Sequence, residues 1–200
     1  MEQEIEQTPA SSTIILRTKR LVLRKLESED FEDVCKLLQD PVVMYAYEGA
    51  FSAQEVRDWM EKQFRRYRED GFGLWGVMKK DKGELIGQCG LTYQEYAGRR
   101  VVEIGYLFRK EFWHQGYATE AAVACKTYAF DVLGCDEVYS IIRDTNIASQ
   151  KVARRNGMEK VDAFIKHYRN IEMPHLVFSV KNDWSAGERK NSADSARSFL

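Results

Sequence analysis

Val102-Glu103-Ile104-Gly105-Tyr106-Leu107-Phe108-Arg109-Lys110-Glu111-Phe112-Trp113-His114-Gln115-Gly116-Tyr117-Ala118-Thr119-Glu120-Ala121-Ala122 is the stretch from which the fold is read. It starts as a branched and aromatic run of strand character, passes through a short polar loop, and continues into an alanine-rich helical segment. Small residues at Gly116 and Ala118 open that helix. The free N–H groups of a helix start, with the positive end of its dipole, attract phosphate where small residues let the backbone approach. A glycine at such a junction also serves as a plain turn, so the stretch alone leaves both readings open. G-x-x-x-x-G-K-S/T does not occur in the chain, which argues against a nucleoside-triphosphate loop.

Toward the N-terminus, Thr13 to Leu26 is rich in branched aliphatics and reads as a strand pair or one long bent strand. Ser28 is placed to cap a helix through Phe31, Val34, Cys35, Leu37 and Leu38, which Pro41 stops. Ser52 and Glu55 form a capping box for a second helix whose apolar face is Val56, Trp59, Met60, Phe64 and Tyr67. Leu74 to Met78, Leu85 to Tyr93 and Val101 to Phe108 form an antiparallel meander, divided by Asp81-Lys82-Gly83 and Gly98-Arg99-Arg100. Toward the C-terminus come a helix over Gly116 to Leu133, a strand over Val138 to Arg143 and a helix over Asn146 to Asn156 closed by Gly157. Two strands, Lys160 to His167 and Met173 to Lys181, complete an α+β chain without internal repeat.

Two hundred residues suit one compact domain. Residues 1–12 are expected to be a flexible leader, 13–181 the domain and 182–200 a mobile tail. The apolar fraction is 44% against 30% charged, and no apolar run approaches the roughly 20 residues of a membrane span. The polar, acidic start lacks a secretory signal, so a cytoplasmic location is expected. A net charge of -1 removes the strong electrostatic case for nucleic acid or an anionic membrane as main partner. Cys35, Cys89, Cys125 and Cys135 lack C-x-x-C spacing and only three histidines occur, so neither a disulfide framework nor a metal site is expected.

Glu-Ile-Gly-Tyr at 103–106, Phe-Trp-His-Gln-Gly-Tyr-Ala-Thr-Glu-Ala at 112–121, Asn-Ile-Ala-Ser-Gln-Lys-Val-Ala at 146–153 and Asn-Gly-Met at 156–158 together resemble the GNAT superfamily of N-acetyltransferases. With Thr18-Lys19-Arg20-Leu21-Val22-Leu23-Arg24, the chain is similar to the Rim-type branch, which includes the ribosomal-protein N-terminal acetyltransferases. The resemblance implies a mixed, mostly antiparallel sheet of about six to seven strands with about four helices, splayed between the fourth and fifth strands. It implies acetyl-coenzyme A as cosubstrate, with pantetheine along the edge of Tyr106, Leu107 and Phe108. The pyrophosphate would then meet the backbone N–H groups of His114, Gln115, Gly116, Tyr117, Ala118 and Thr119. Trp113 stands where the broad superfamily has Gln or Arg and is usual in the Rim-type branch. Asn146 corresponds to a residue that hydrogen-bonds pantetheine, and it also suits a helix N-cap.

Acetyl transfer to an amine needs an uncharged nucleophile, a polarised thioester carbonyl and a proton for the leaving thiolate. Glu103 is the candidate base, directly or through water; a strand glutamate paired with an arginine or facing solvent is the competing reading. Ser149, by the resemblance, is the candidate proton donor and a pantetheine neighbour, against an ordinary helix residue. The corresponding tyrosine of other superfamily members is missing between Lys151 and Arg155. The Phe108 N–H is the expected carbonyl polariser. His114 is expected to matter through its backbone, and His167 and His175 flank the last hairpin near the acceptor side or pack there. The expected acceptor is a protein N-terminal α-amine. A polyamine or aminoglycoside, a binding module without turnover and a possible homodimer stay open.

Overall fold

A computed structural model describes residues 14–47, 49–168 and 171–183. The expected leader, and the tail beyond residue 183, lie outside the described residues. The elements run β1 (Ile14–Arg17), β2 (Leu21–Arg24), α1 (Phe31–Leu38), α2 (Ala53–Glu69), β3 (Leu74–Lys79), β4 (Leu85–Tyr96), β5 (Arg99–Phe108), α3 (Tyr117–Asp131), β6 (Glu137–Arg143), α4 (Ile147–Arg155), β7 (Glu159–Tyr168) and β8 (Ile171–Lys181). They form one eight-stranded sheet in the order β1-β2-β3-β4-β5-β6-β8-β7. Only the β5–β6 pair is parallel.

The N-terminal apolar run is a strand pair because Thr18 folds it. The Thr18 hydroxyl accepts from the Leu21 N–H at 3.0 Å, and the Thr18 N–H donates to the Leu21 carbonyl at 2.9 Å. That turn makes eight strands, and the splay accordingly falls between β5 and β6. Ser28 does not cap the first helix. Its hydroxyl donates to Glu29, and Asp30 accepts the Glu27 N–H at 2.9 Å while holding Arg24 in an ion pair. The Ser52–Glu55 capping box is present and starts α2. Gly157, at φ 83°, closes α4 in the left-handed conformation.

Two layers of helix cover the sheet. The side of α3 against β4 and β5 is Ala121, Ala122, Cys125 and Ala129, all fully buried, and these small residues let the helix axis approach the strands. Trp75 fills the space beneath α3, edge-on to Tyr128 at 5.5 Å. On the opposite face α2 is fixed to β3 by its own side chains. The Gln63 side-chain carbonyl accepts the Leu74 N–H at 3.1 Å, and the Tyr67 hydroxyl donates to the Leu74 carbonyl.

The β1–β2 hairpin is anchored to α3 through Glu120. Its carboxylate accepts from the Thr18 hydroxyl at 2.6 Å, the Arg20 N–H at 2.8 Å and the Arg20 guanidinium at 2.6 Å. Partial burial pushes the Glu120 carboxyl up, but these three donors and the Arg20 charge outweigh it and hold it below the ordinary carboxylate range. A depressed carboxylate stabilises the fold at neutral pH, and that stability is lost as pH falls through the native value. Glu120→Gln is therefore expected to cost about 1–2 kcal/mol at neutral pH. The gap between variant and parent closes in acid, as urea midpoints measured from pH 7 to pH 3 will show; a gap that persists at pH 3 contradicts the assignment.

Candidate active site

The centre of the site follows from the hydrogen-bond alternation of β5. The Arg109 N–H donates to the Ile86 carbonyl at 3.0 Å, so Gly87↔Phe108 is a non-hydrogen-bonded pair of the β4–β5 ladder. By alternation, the backbone groups of Ile104, Tyr106 and Phe108 turn away from β4 toward β6. Yet β5 and β6 register only at Glu103↔Tyr139. Past that point the strands diverge. The Ser140 hydroxyl donates to the Ile104 carbonyl at 2.9 Å, and the Trp113 indole N–H donates to the Phe108 carbonyl at 2.7 Å. The N–H groups of Tyr106 and Phe108 and the Tyr106 carbonyl are thus presented along an open strand edge, which suits a ligand carrying amide groups. Leu107 turns its own backbone toward Gln88 of β4, so the edge consists of Tyr106 and Phe108.

The loop after β5 ends in a concavity of N–H groups. His114 at φ 59° and Gly116 at φ 81° are both left-handed, and the N–H groups of Tyr117, Ala118 and Thr119 have no acceptor within α3. His114, Gln115 and Gly116 are exposed, so the cradle is open to an anion. Arg20 braces it from outside. Its guanidinium donates to the Gln115 carbonyl at 2.9 Å and lies 4.3 Å from the centre of the Tyr117 ring. Sequence reading did not assign Arg20 a role, because its partners lie about a hundred residues away. The available signal was its place in the Thr18–Arg24 run.

Glu103 stands where β5 and β6 part. One oxygen accepts the Ile141 N–H at 3.1 Å and the other accepts the Thr92 hydroxyl at 3.3 Å. The carboxylate therefore takes a β6 N–H that a continuous ladder would have bonded to backbone. Burial pushes the Glu103 carboxyl above the ordinary carboxylate range, against the opposing pull of the Ile141 N–H and the Lys166 charge. It lines a cleft of about 820 Å³ at the splay, with walls from β4, β5, β6, α2 and the start of α4.

Asn146 and Ser149 line the same cleft from the start of α4. The Asn146 side-chain carbonyl accepts the Ser149 N–H at 3.0 Å and the Tyr45 hydroxyl at 2.8 Å. The Tyr106 hydroxyl donates to the Ser149 carbonyl at 2.7 Å, tying β5 to α4 across the gap. Both backbone groups of Ser149 are thereby fixed, and the residue lines the cleft. His175 lines the cleft, stacked on Phe164 at 6.1 Å with its Nδ1 2.9 Å from the Met173 carbonyl. Burial lowers its pKa. His167 is exposed outside the cleft. The wall facing the splay is supplied by Tyr47, Lys62 and Arg66, to which sequence reading assigned no part. Among the described residues, no group of His, Cys, Asp and Glu is arranged to hold a metal ion.

The model of the acetyltransferase (GNAT) domain matches residues 20–159. The chain is 35% identical over 168 residues to the uncharacterized protein YkkB of Bacillus subtilis, covering 84% of this chain and 95% of that one. It is 33% identical over 185 residues to the FsC-acetyl coenzyme A-N(2)-transacetylase of Aspergillus fumigatus, covering 84% and 77%. In fold it resembles the ribosomal L7/L12 α-N-protein acetyltransferase RimL solved with coenzyme A, with a TM-score of 0.71 at 17% identity over 85% of this chain and 98% of that one.

Proposed function

This chain belongs to the acetyltransferase (GNAT) family, and we propose that it moves the acetyl group of acetyl-coenzyme A to the N-terminal α-amine of a protein. The observation that carries this reading is the open β5 edge at Tyr106 and Phe108, continuous with the N–H cradle at His114–Thr119. An extended ligand with amide groups at one end and phosphates at the other matches that pair of features. Acetyl-coenzyme A has this form, and it supplies the activated thioester.

On this reading the chain's residues divide the chemistry. The Tyr106 and Phe108 backbone groups dock pantetheine, and the Phe108 N–H lies on the edge where the thioester carbonyl needs a donor. Glu103 takes a proton from the acceptor ammonium, directly or through water. Its raised pKa moves it toward the range of an efficient base at neutral pH. The hydroxyl of Ser149, whose backbone N–H is held by Asn146, gives a proton to the departing thiolate and regains one from the nitrogen of the new amide.

The α-amine acceptor is compatible with the cleft, whose volume is about 820 Å³ and whose lining includes Lys62 and Arg66 of α2 and Lys166 of β7. The resemblance in fold to a protein α-N-acetyltransferase points the same way. A second reading, a small-molecule amine acceptor, is favoured by the relative named for N(2)-transacetylation. Thiol release from acetyl-coenzyme A across N-terminal peptides, polyamines and aminoglycosides separates the two. Turnover confined to small amines overturns the peptide reading. Ser149→Ala is expected to lower kcat about tenfold with KM for acetyl-coenzyme A little changed. An unchanged kcat removes the serine from the mechanism.

A further inference from the structure

One part of the cleft carries more cationic than acidic side chains among the described residues. Lys62, Arg66, Arg100 and Lys166 line it with the carboxylates Asp70, Glu95 and Glu103. Two of those carboxylates are committed. Asp70 accepts from Arg100 at 2.7 Å, and Glu103 is held by the Ile141 N–H and the Thr92 hydroxyl. Among the described residues, no carboxylate lies within ion-pair distance of Lys62, Arg66 or Lys166. Arg66 makes one long contact, to the Gln63 side-chain carbonyl at 3.3 Å.

These three cations come from two elements that face each other across the acceptor mouth, Lys62 and Arg66 from α2 and Lys166 from β7. They repel one another. Lys62 is pushed below the ordinary lysine range by partial burial and by the charges of Arg66, Arg65 and Lys166. The Lys166 charge also reaches Glu103 and His175. Like charges held together with only the more distant carboxylates Glu103 and Asp70 to offset them are relieved further by an anion that enters between them. A polycationic acceptor meets the opposite situation.

We propose that the acceptor is an acidic N-terminal peptide, with a side-chain carboxylate next to its reacting amine that is received by Lys62, Arg66 and Lys166. This rests on the acetyltransferase reading above and adds the acceptor's charge to it. The carboxylate completes a charge cluster that α2 and β7 leave open, and it draws the peptide end toward Glu103. Spermidine-like and aminoglycoside acceptors are disfavoured by the same field.

The test uses the full chain, acetyl-coenzyme A and three peptides that differ only at positions two and three, Asp-Asp, Ala-Ala or Lys-Lys. At low salt, kcat/KM for thiol release is expected to be at least about tenfold higher for the Asp-Asp than for the Lys-Lys peptide. That ratio falls toward one as ionic strength rises. The double variant Lys62→Glu with Lys166→Glu inverts the preference, whereas Lys62→Arg with Lys166→Arg keeps it. Because the readout is a ratio between peptides, any change in Glu103 or in folded fraction cancels. If the parent turns over the Lys-Lys peptide or a polyamine as well as the Asp-Asp peptide, the inference fails while the acetyltransferase function stands. It also fails if the charge-reversed variant keeps the parent's ratio. Silence with every amine, with acetyl-coenzyme A still bound, removes the transfer reading and this inference with it.

Discussion

Glu103→Gln is expected to lower kcat a hundredfold or more at neutral pH, the range that a positioned general base supplies. The substitution is chosen because it separates base from wedge. Glutamine keeps an oxygen for the Ile141 N–H and can donate to the Thr92 hydroxyl, so the parting of β5 and β6 is preserved. The pH dependence gives a second signature. With its carboxyl raised by burial, the parent gains activity as pH climbs through a value above the ordinary carboxylate range. The glutamine variant loses that acidic limb. The stability sign is opposite to that of Glu120. A raised carboxyl favours the native state only below its unfolded value, and the advantage is gone once pH exceeds the native one, so above that native value Glu103 costs stability. The variant should therefore melt no lower than the parent. A variant with the parent's kcat and the same acidic limb would leave Glu103 as a strand wedge alone.

Gly90→Ala is the substitution expected to damage the fold most. A Cβ built there lies 2.1 Å from the Gly73 carbonyl oxygen and 2.9 Å from the Leu74 Cα, and both are backbone atoms that no rotamer change can clear. Relief requires β3 and β4 to move apart. Leu74 then shifts, together with its hydrogen bonds to Gln63 and Tyr67, and α2 moves with it. A loss of about 3 kcal/mol is expected, at the upper end for overpacking. Gly98→Ala is the comparison. Gly98 sits at φ 71° in the β4–β5 turn with open space around its missing Cβ, so only the left-handed backbone resists, at about 1 kcal/mol. Denaturant midpoints of both variants decide the matter, and equal losses would sink the close-contact argument.

The reach of sequence reading is clearest in particular residues. The Ser52–Glu55 box and the left-handed Gly157 are local devices, and one starts α2 while the other closes α4 where the spacing indicates. Ser28 failed as a cap for an equally local reason: Asp30, two residues on, offers a charged acceptor that binds the Glu27 N–H and Arg24 together. Glu103 was legible as a candidate, but its bond to the β6 backbone was not, since that depends on how two strands part. Lys62, Arg66 and Lys166 were invisible as a group. One pair lies on the solvent side of an amphipathic helix and the third on an edge strand a hundred residues later, and each alone reads as ordinary surface charge.

By itself the sequence determined the order of elements, the glycine-opened cradle before α3 and the family, because these rest on spacing, turn chemistry and motifs over neighbouring residues. Tertiary structure decided the rest. It set the point where β5 and β6 separate, turned the backbone groups of Tyr106 and Phe108 away from β4, and brought Lys62, Arg66 and Lys166 to one cleft. Those outcomes depend on which strands pair and in what register, and on charges meeting across distant elements, which local propensity does not encode.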